Sequence, residues 1–413
     1  MRYYLIFFLF SGTIQLMKII TFGCRMNAFE SAVIARLIQG THKDMVILNT
    51  CAVTAEAERQ CRQAIRKARR DYPEAEIVVT GCAAQLHPEV FETMPEVDRV
   101  IGNLEKLSKD TLRHSDKCVV GEIDRDISIP LVMDFEGKSK AFLQIQQGCD
   151  HACTFCIVRF ARGHNKGIPE SQLIEQAKVF VQNGYKELVL TGADVASYPG
   201  GLVPLLDRLL QAVPDIQRLR LGSLDPGALD DDFIQLVKKY SQIMPYFHLS
   251  IQSGDNMILK RMGRRHTYES VMNWIQKMRQ ICPLATFGAD FITGFPTESE
   301  EQFNSTLQLV KTANITHLHV FPYSERPGTP AVQMPQVPIK IRKERAAKLR
   351  KLGQELYEKL LKSMVGKVVP VLTEGNGSGM TDNYVRVILP SDCVEGEIVD
   401  IKIKGVQNDA LVG

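Results

Sequence analysis

Short apolar runs alternate with amphipathic stretches along most of the chain. From Met17 onward, runs rich in β-branched residues are followed by segments whose apolar residues recur with helical spacing. This alternation is typical of a parallel sheet with crossover helices. The first strand-like runs are Met17–Phe22, Met45–Asn49, Glu76–Thr80 and Arg99–Ile101. The pattern predicts an N-terminal open parallel α/β domain over residues 17–125.

Two longer helices are expected between these strands. The segment Asn27–Gln39 opens with Asn27-x-x-Glu30, the pattern of a capping box at a helix start. A second helix, rich in basic residues, is expected from about Thr54 to Tyr72.

A second alternation begins near residue 141 and predicts a central barrel. The strand-like runs are Ala141–Gln147, Glu187–Leu190, Arg218–Leu221, Phe247–Ile251, Thr286–Ile292 and His317–Tyr323. A helical pattern follows each of the first five runs, and successive βα units of this kind favour a barrel or partial barrel. We therefore expect a (βα)6 partial TIM barrel over residues 135–335. Its active site should lie at the carboxyl ends of the strands.

The last part of the chain differs in kind. A charged helix is expected from about Pro338 to Lys362, within a linker segment of residues 336–365. The tail, residues 366–413, is rich in Val and Gly and contains turn pairs such as Asn376-Gly377, which predicts a small all-β barrel. The fold class is therefore α/β with a C-terminal all-β module.

The first residues carry the one pattern that suggests a membrane. Arg2 precedes the apolar run Tyr3–Phe10, which is far shorter than the eighteen or more residues of a spanning helix. A signal peptide is the alternative, but no small-x-small cleavage site follows before Met17. We expect translation to begin at Met17, residues 1–16 to be an extension that is not translated, and the protein to be cytoplasmic with no membrane partner.

Composition narrows the class of protein. The 413 residues are 45% hydrophobic and 23% charged, which excludes a disordered or fibrous chain. Lysine and arginine number 50 against 47 acidic residues, so the formal net charge is only +3. Any affinity for nucleic acid must therefore come from local patches.

The first cysteine group lies directly after the first barrel strand. Cys149, Cys153 and Cys156 form a C-x3-C-x2-C motif, and three thiolates on one short loop can hold three irons of a [4Fe–4S] cluster. The fourth iron then stays open for the amino and carboxylate groups of S-adenosylmethionine. The alternative is a zinc knuckle, with His151 or His164 as the fourth ligand.

The second cysteine group follows the strands of the N-terminal domain. Cys24, Cys51 and Cys82 each lie just past the end of a predicted parallel strand. Carboxyl ends of parallel strands share one edge of a sheet, so these cysteines are expected to converge and to favour a second iron–sulfur cluster. The alternative is that they are small buried hydrophobic residues. The remaining cysteines are expected to be structural, namely Cys61, Cys118, Cys282 and Cys393.

These motifs resemble a known superfamily and one family within it. The C-x3-C-x2-C motif on a partial barrel, with Phe155 before its third cysteine, resembles the radical S-adenosylmethionine (SAM) superfamily. The blocks 21–27, 49–54 and 80–85 are similar to the N-terminal blocks of the methylthiotransferases. That resemblance implies two [4Fe–4S] clusters, one of them an auxiliary cluster on Cys24, Cys51 and Cys82, together with SAM.

The resemblance also implies residues that contact the cofactor. Gly192 would offer its backbone, and Arg264 would lie near the SAM carboxylate. Ordinary turn chemistry is the alternative for Gly294, and a solvated helix face is the alternative for Arg264. The full set of expected cofactor contacts is Phe155, Gly192, Ser223, Asp225, Gln252, Arg264, Thr293 and Gly294.

Other blocks indicate the substrate. Residues 190–198, 218–226 and 319–329 look most like the enzymes that modify N6-threonylcarbamoyladenosine beside the anticodon, at position 37 of tRNA, and the tail fits their TRAM-like RNA-binding module. The resemblance implies conversion to the 2-methylthio derivative, with the tRNA anticodon loop, an electron donor such as flavodoxin or ferredoxin, and a sulfur source as partners. Residues 157–166 depart from the family pattern, although Arg162-Gly163 is retained.

Three alternatives remain open at this point. In the first, the substrate is isopentenyladenosine in tRNA or an aspartate of a ribosomal protein. A protein of another class, a non-catalytic iron–sulfur RNA-binding or redox-sensing protein, has the same cysteines. In a third interpretation the N-terminal cysteines are inert and only one cluster forms.

Charge and aromatic residues offer a test of an RNA substrate. Residues 340–362 hold nine basic against three acidic residues, and residues 56–72 hold six against three, which suits phosphate contact. The tail from residue 366 holds seven acidic against four basic residues. Simple solvation of both helices is the alternative. Candidate stacking partners for an unstacked base are Phe160, Tyr198, Phe321 and Tyr323.

Overall fold

The computed structural model describes residues 2–10, 13–39, 44–113, 116–125, 129–135, 139–390 and 393–413, and only the backbone of residues 2–15. The chain divides into two compact units. The first unit holds residues 1–136, 144–151 and 156–168, and the second holds residues 137–143, 152–155 and 169–413. The sequence predicted five parts, at residues 1–16, 17–125, 135–335, 336–365 and 366–413, and these boundaries stay predictions.

The first unit is built on a sheet whose strands lie in chain order, β1-β2-β3-β4-β5-β6. The strands are β1 (Arg2–Phe10), β2 (Thr13–Thr21), β3 (Met45–Thr50), β4 (Glu76–Gly81), β5 (Arg99–Ile101) and β6 (Cys118–Val119). Strand β1 is antiparallel to β2, and the later neighbours are parallel. The predicted open parallel domain is confirmed, with β2 beginning at Thr13 rather than Met17.

Helices cover both faces of this sheet. They are α1 (Arg25–Leu37), α2 (Ala55–Asp71), α3 (Cys82–Leu86), α4 (Pro88–Glu92) and α5 (Lys109–Arg113). Strand β3 is buried along its whole length and sends alternate side chains to opposite layers. Leu48 packs in one core with Ile65 of α2, and Ile47 packs in the other with Ile34 of α1.

The chain then passes between the two units. Strand β7 (Lys140–Gln144) joins the sheet of the second unit, whereas β8 (Gln146–Gln147), α6 (Val158–Arg162) and β9 (Lys166–Gly167) belong to the first. The predicted strand over residues 141–147 is thus interrupted at Ile145.

The second unit contains the predicted βα alternation. Its strands are β10 (Glu187–Thr191), β11 (Arg218–Arg220), β12 (Tyr246–Gln252), β13 (Thr286–Thr293) and β14 (His317–Pro322). Its helices are α7 (Glu170–Gln182), α8 (Leu202–Ala212), α9 (Asp231–Lys239), α10 (Asn256–Met262), α11 (Tyr268–Ile281) and α12 (Glu300–Thr312). Strands β11-β10-β7 form one sheet and β12-β13-β14 another, and a parallel bridge joins Leu224 to Leu249 between them. The expected partial barrel is confirmed.

Alternation along the barrel strands separates an apolar face from a polar one. Phe247 of β12 and Phe287 of β13 are fully buried and pack against Trp274 of α11. Because successive side chains point to opposite faces of a strand, His248 and Asp290 face the other way. The helices thus seal the apolar face, and polar side chains are left on the inner face.

The C-terminal part begins with a long helix and ends in a sheet. Helix α13 (Ile339–Met364) precedes β15 (Val368–Glu374), β16 (Ser378–Thr381), β17 (Arg386–Ile388), β18 (Ile398–Lys402), β19 (Gly405–Gln407) and β20 (Ala410–Val412). The strand order is β18-β15-β16-β17-β20-β19. Leu361 and Met364 of α13 share the core of this sheet with Val387. The predicted all-β module is confirmed.

The turn between β16 and β17 packs against the starts of the barrel strands. Arg220 donates hydrogen bonds to the carbonyl oxygens of Thr381 and Asp382 at 2.7 and 2.8 Å, and its Nε lies 2.8 Å from the buried carboxylate of Glu187. The ring of Tyr384 stacks on Tyr246 with 4.3 Å between centroids. This turn therefore packs against the barrel. Within the described residues, the structure contains no helix that is both long and apolar enough to cross a membrane.

The substitution Arg220→Ala tests this packing. It leaves the carboxylate of Glu187 buried without its nearest cation, so we expect a loss of about 3–5 kcal/mol in the free energy of unfolding. Thermal or chemical denaturation measures the loss. Arg208→Ala, which removes a half-exposed pair with Glu170, is the matched control and should leave the melting temperature nearly unchanged. Equal stability of the two variants would contradict the assignment.

Candidate active site

The N-terminal cysteines lie at one edge of the first unit's sheet. Cys24 precedes α1 directly after the chain leaves β2, Cys51 follows β3, and Cys82 begins α3 directly after β4. Strands β2, β3 and β4 are adjacent and parallel, so their carboxyl ends meet at the same edge.

Local contacts show that these thiols are neighbours. Gly23 has φ +83°, and a Cβ built there would lie 2.8 Å from the Cys51 sulfur, so only glycine allows this approach. Burial raises the pKa of the Cys51 thiol, and the nearby thiols of Cys82 and Cys24 raise it further. Burial also raises the pKa of Cys24. Thiolates here therefore need a metal or a cation to stabilise them.

The sulfur atoms of the trio do not converge as closely as the ligands of a single zinc ion do. Tetrahedral zinc at about 2.3 Å from each sulfur places its ligands about 3.8 Å apart. Across the part of the chain that the structure describes, the groups of three ligand atoms that converge within 4.8 Å do not include Cys24, Cys51 and Cys82.

A buried network of charges supports this edge. Glu30 has no exposed side-chain surface and accepts hydrogen bonds from Arg162 at 2.7 Å and from Lys106 at 2.6 Å. Burial would raise the pKa of Glu30, but the charges of Arg162 and Lys106 outweigh it and lower that pKa to about 2. One carboxylate thus faces two cations. The excess positive charge acts on Cys82 and Cys24.

This network was not anticipated from the sequence, and the capping box predicted there is wrong. Helix α1 begins at Arg25 with Cys24 as its N-cap and has no side-chain cap. Asn27 instead donates to the carbonyl oxygens of Phe22 and Thr50, and Glu30 enters the charge network. The retained Arg162-Gly163 pair was the one sequence signal for it.

The C-x3-C-x2-C loop is shaped by glycine and by hydrogen bonds to sulfur. A Cβ at Gly148 would lie 1.9 Å from the His164 carbonyl oxygen, so no larger residue fits before Cys149. The Cys149 amide donates to the Gly163 carbonyl at 3.1 Å, and the Val158 amide donates to the Cys156 sulfur at 3.4 Å. His164, considered as a zinc ligand, is paired with Asp150.

Arg264 lies beside the middle cysteine of this loop. Its Nη1 is 3.4 Å from the Cys153 sulfur, and its Nη2 donates to Asp225 at 2.9 Å and to the Ser250 carbonyl at 2.8 Å. Burial would raise the pKa of Asp225, but the neighbouring imidazole of His266, 3.7 Å away, and the charge of Arg264 hold that pKa well below its usual range. Asp225 thus fixes a cation against Cys153, so Arg264 is not on a solvated face.

Two other predicted cofactor residues have packing explanations. Thr293 donates its hydroxyl to the Arg342 carbonyl at 3.0 Å. Gly294 has φ +65°, and a Cβ there would lie 2.5 Å from Cγ of Arg342. Both residues thus contact α13. Their cofactor role stays a prediction.

The remaining predicted contacts are placed as follows. Gln252 ends β12 at a register shift and has φ +74°, a strained conformation for a residue other than glycine. Gly192 directly follows β10. Ser223 hydrogen-bonds to Ser250 at 2.9 Å, and Phe155 packs edge-on against Phe295.

The basic helix α13 is less available to phosphate than its composition suggested. Arg342 and Arg345 are buried, and Arg345 is paired with Glu298 at 2.7 Å. Arg350 donates to the Val320 carbonyl. The basic residues that remain exposed on this helix include Lys340, Lys343 and Lys351.

Comparison with known proteins identifies the family. The model of the Radical SAM superfamily matches residues 143–310, and that of Uncharacterized protein family UPF0004 matches residues 16–102. "Threonylcarbamoyladenosine tRNA methylthiotransferase MtaB" of Rickettsia prowazekii is 46% identical over 94% of this chain and 95% of its own length. The protein of the same name from Aquifex aeolicus is 37% identical over 89% and 95%. The chain belongs to the family of threonylcarbamoyladenosine tRNA methylthiotransferases.

A solved structure shares the fold of this chain, and the superfamily determines its cofactors. The radical SAM methyltransferase TsrM of Kitasatospora setae superposes with a TM-score of 0.52 at 15% identity, covering 90% of this chain and 76% of that one, which shows a shared fold. Members of the radical SAM superfamily use a [4Fe–4S] cluster and SAM, and so does this methylthiotransferase family member.

Glu30→Gln tests the buried network. The carboxylate has a pKa of about 2 in the folded chain against 4.5 as its ordinary value, so its stabilisation is present above pH 4.5 and is lost as pH falls toward 2. We expect the variant to lose about 3 kcal/mol of unfolding free energy at pH 7, and the difference to shrink as pH falls through this range. Chemical denaturation at several pH values measures it. Glu74→Gln, at an exposed position, is the control, and a pH-independent difference would contradict the network.

Proposed function

We propose that this chain converts N6-threonylcarbamoyladenosine at position 37 of tRNA to its 2-methylthio derivative by radical SAM chemistry. The observation that carries the proposal is the pair of cysteine groups: a C-x3-C-x2-C loop after β7 and a second trio at the carboxyl ends of β2, β3 and β4. A relative with that activity in its name, 46% identical over nearly the full chain, supports the same conclusion.

The ligand assignment follows from the donor sets. We assign Cys149, Cys153 and Cys156 to the [4Fe–4S] cluster that binds SAM, and the N-terminal trio to an auxiliary [4Fe–4S] cluster. When bound, the first cluster would supply the electron that cleaves SAM, and the second would supply a site for the sulfur to be transferred.

The protein's own residues stabilise thiolates and position the cofactors. Arg264 places a cation beside Cys153, and the Val158 amide donates to the Cys156 sulfur. Arg162 acts on Cys24 and Cys82 from within its ion pair with Glu30. Side-chain acid–base chemistry cannot activate C2 of adenine, since its C–H bond is neither acidic nor electrophilic, so positioning and electrostatics are the protein's contribution.

The proposal includes three partners. The tRNA anticodon loop carries the substrate, a small electron-transfer protein such as flavodoxin or ferredoxin reduces the SAM-binding cluster, and a separate source supplies sulfur. Phosphate contacts are available from exposed basic side chains of α2, such as Arg66 and Lys67, and from those of α13.

A second substrate is favoured by a specific comparison. The "tRNA-2-methylthio-N(6)-dimethylallyladenosine synthase" of Staphylococcus haemolyticus is 32% identical over 95% of this chain. Methylthiolation of isopentenyladenosine is therefore the second candidate function.

Analysis of tRNA nucleosides separates the two. In a strain that lacks the gene, mass spectrometry should show loss of 2-methylthio-threonylcarbamoyladenosine and its return on complementation, with 2-methylthio-isopentenyladenosine unchanged. The reverse pattern would favour the second candidate, and no change in either nucleoside would sink both.

Iron content tests the two-cluster assignment. Anaerobically reconstituted protein should bind about eight irons per chain, and the Cys24→Ala, Cys51→Ala, Cys82→Ala variant about four. Cys61→Ala is the matched control. Cys61 lies on the buried face of α2, and its replacement should leave the iron content unchanged. About four irons in the unmodified protein would rule out an auxiliary cluster.

A further inference from the structure

A compact polar cluster lies on the inner face of β12, β13 and β14. His248 Nε2 and His319 Nδ1 each lie 3.1 Å from the same carboxylate oxygen of Asp290. The two imidazole rings are 4.5 Å apart between centroids. Neither proposed iron–sulfur cluster uses these residues, and no sequence motif predicted them because they come from separate strands.

The pleat of the strands explains why they meet. Leu318 contacts Gly353 of α13, so its neighbour His319 and the exposed Phe321 two residues on lie on the opposite face of β14. Gly288 of β13 leaves the room that the cluster needs: a Cβ there would lie 2.5 Å from Nδ1 of His248.

Neighbouring hydroxyl groups fix the cluster. Tyr246 hydrogen-bonds to Nδ1 of His248 at 2.8 Å, and Ser223 donates to the second oxygen of Asp290 at 3.2 Å. Both oxygens of Asp290 are therefore engaged, and His248 is held from both ring nitrogens. His319 differs: its side chain is 61% exposed, and Nε2 lies on the ring edge away from Asp290.

The cluster is continuous with the cofactor side of the barrel. Ser223, bonded to Asp290, also contacts the hydroxyl of Ser250, whose carbonyl accepts from Arg264. Arg264 in turn contacts the sulfur of Cys153. One chain of hydrogen bonds thus runs from a proposed cluster ligand to His319.

We propose that His319, held by Asp290 and His248, binds the polar arm of the N6-substituted adenine, with Phe321 beside it as an aromatic surface for the base. This inference rests on the proposed function. A threonylcarbamoyl arm carries a carboxylate, a hydroxyl and urea N–H groups, which match an imidazole edge and its polar neighbours. An isopentenyl arm carries none of these groups.

The threonylcarbamoyl arm is selected because the isopentenyl arm would leave polar groups of the protein unpaired. A site built to hydrogen-bond a substrate rejects an analogue that lacks the partner groups, because the analogue covers a polar edge that is solvated in the free protein, such as Nε2 of His319, without pairing it. The polar cluster therefore selects the threonylcarbamoyl arm over the isopentenyl arm.

The test compares two RNA substrates in the reconstituted holoenzyme. Anticodon stem-loop RNAs with threonylcarbamoyladenosine or isopentenyladenosine at the target position are assayed for methylthio product with His319→Leu and with the unmodified protein. We expect His319→Leu to lower kcat/KM for the threonylcarbamoyl RNA by about 10- to 100-fold, mainly through KM, without a matching loss on the isopentenyl RNA. His87→Leu, at a partly exposed histidine paired with Glu89, is the control and should leave both rates unchanged.

Iron content and 5′-deoxyadenosine formation are measured in the same samples, so that loss of clusters is recognised as such. Asp290→Asn provides a second variant and should shift selectivity in the same direction. An unchanged ratio of the two rates in both variants would overturn the inference while leaving the proposed function intact. An unmodified protein that fails to convert the threonylcarbamoyl RNA would instead overturn the proposed function. Loss of selectivity on chelator treatment with both clusters retained would show that a metal ion at the three residues, rather than direct contact, holds the arm.

Discussion

The ion pair between Glu30 and Arg162 is the interaction on which the first unit's chemistry depends. It joins a residue of α1 to the end of α6, which follows the third cysteine of the C-x3-C-x2-C loop. Lys106, from a third part of the chain, completes the network. Since a buried carboxylate without its partners is costly, these segments are held together at the edge where Cys24 and Cys82 lie. The proposed ligand set is thus organised by charges that do not themselves touch metal.

Sequence patterns with a short period predicted the strands and helices, whereas polar contacts between distant residues could not be predicted from the sequence. The strands of both units follow from alternating runs, and the position of Cys24, Cys51 and Cys82 after successive strands was visible in the sequence because parallel strands end at a common edge. Glu30 fitted a local capping pattern, but a tertiary contact with Arg162 determines its role. Local spacing cannot reveal such a partner, since more than a hundred residues separate the two.

The same limit applies to residues inside the barrel. His248, Asp290 and His319 come together only because β12, β13 and β14 are neighbours in a particular register. Composition was misleading for α13, where Arg342 and Arg345 looked like phosphate ligands but are buried structural cations. A count of charges says how many are present, and only packing says which of them face solvent.

The turn at Asp382–Tyr384 changes how the C-terminal module can evolve. Arg218 donates to the carbonyl of Met380, Arg220 donates to those of Thr381 and Asp382, and Tyr384 stacks on Tyr246 at the start of a barrel strand. The module and the barrel therefore share buried polar contacts. A substitution in this turn therefore acts on the barrel as well as on the module, so the two can only change together.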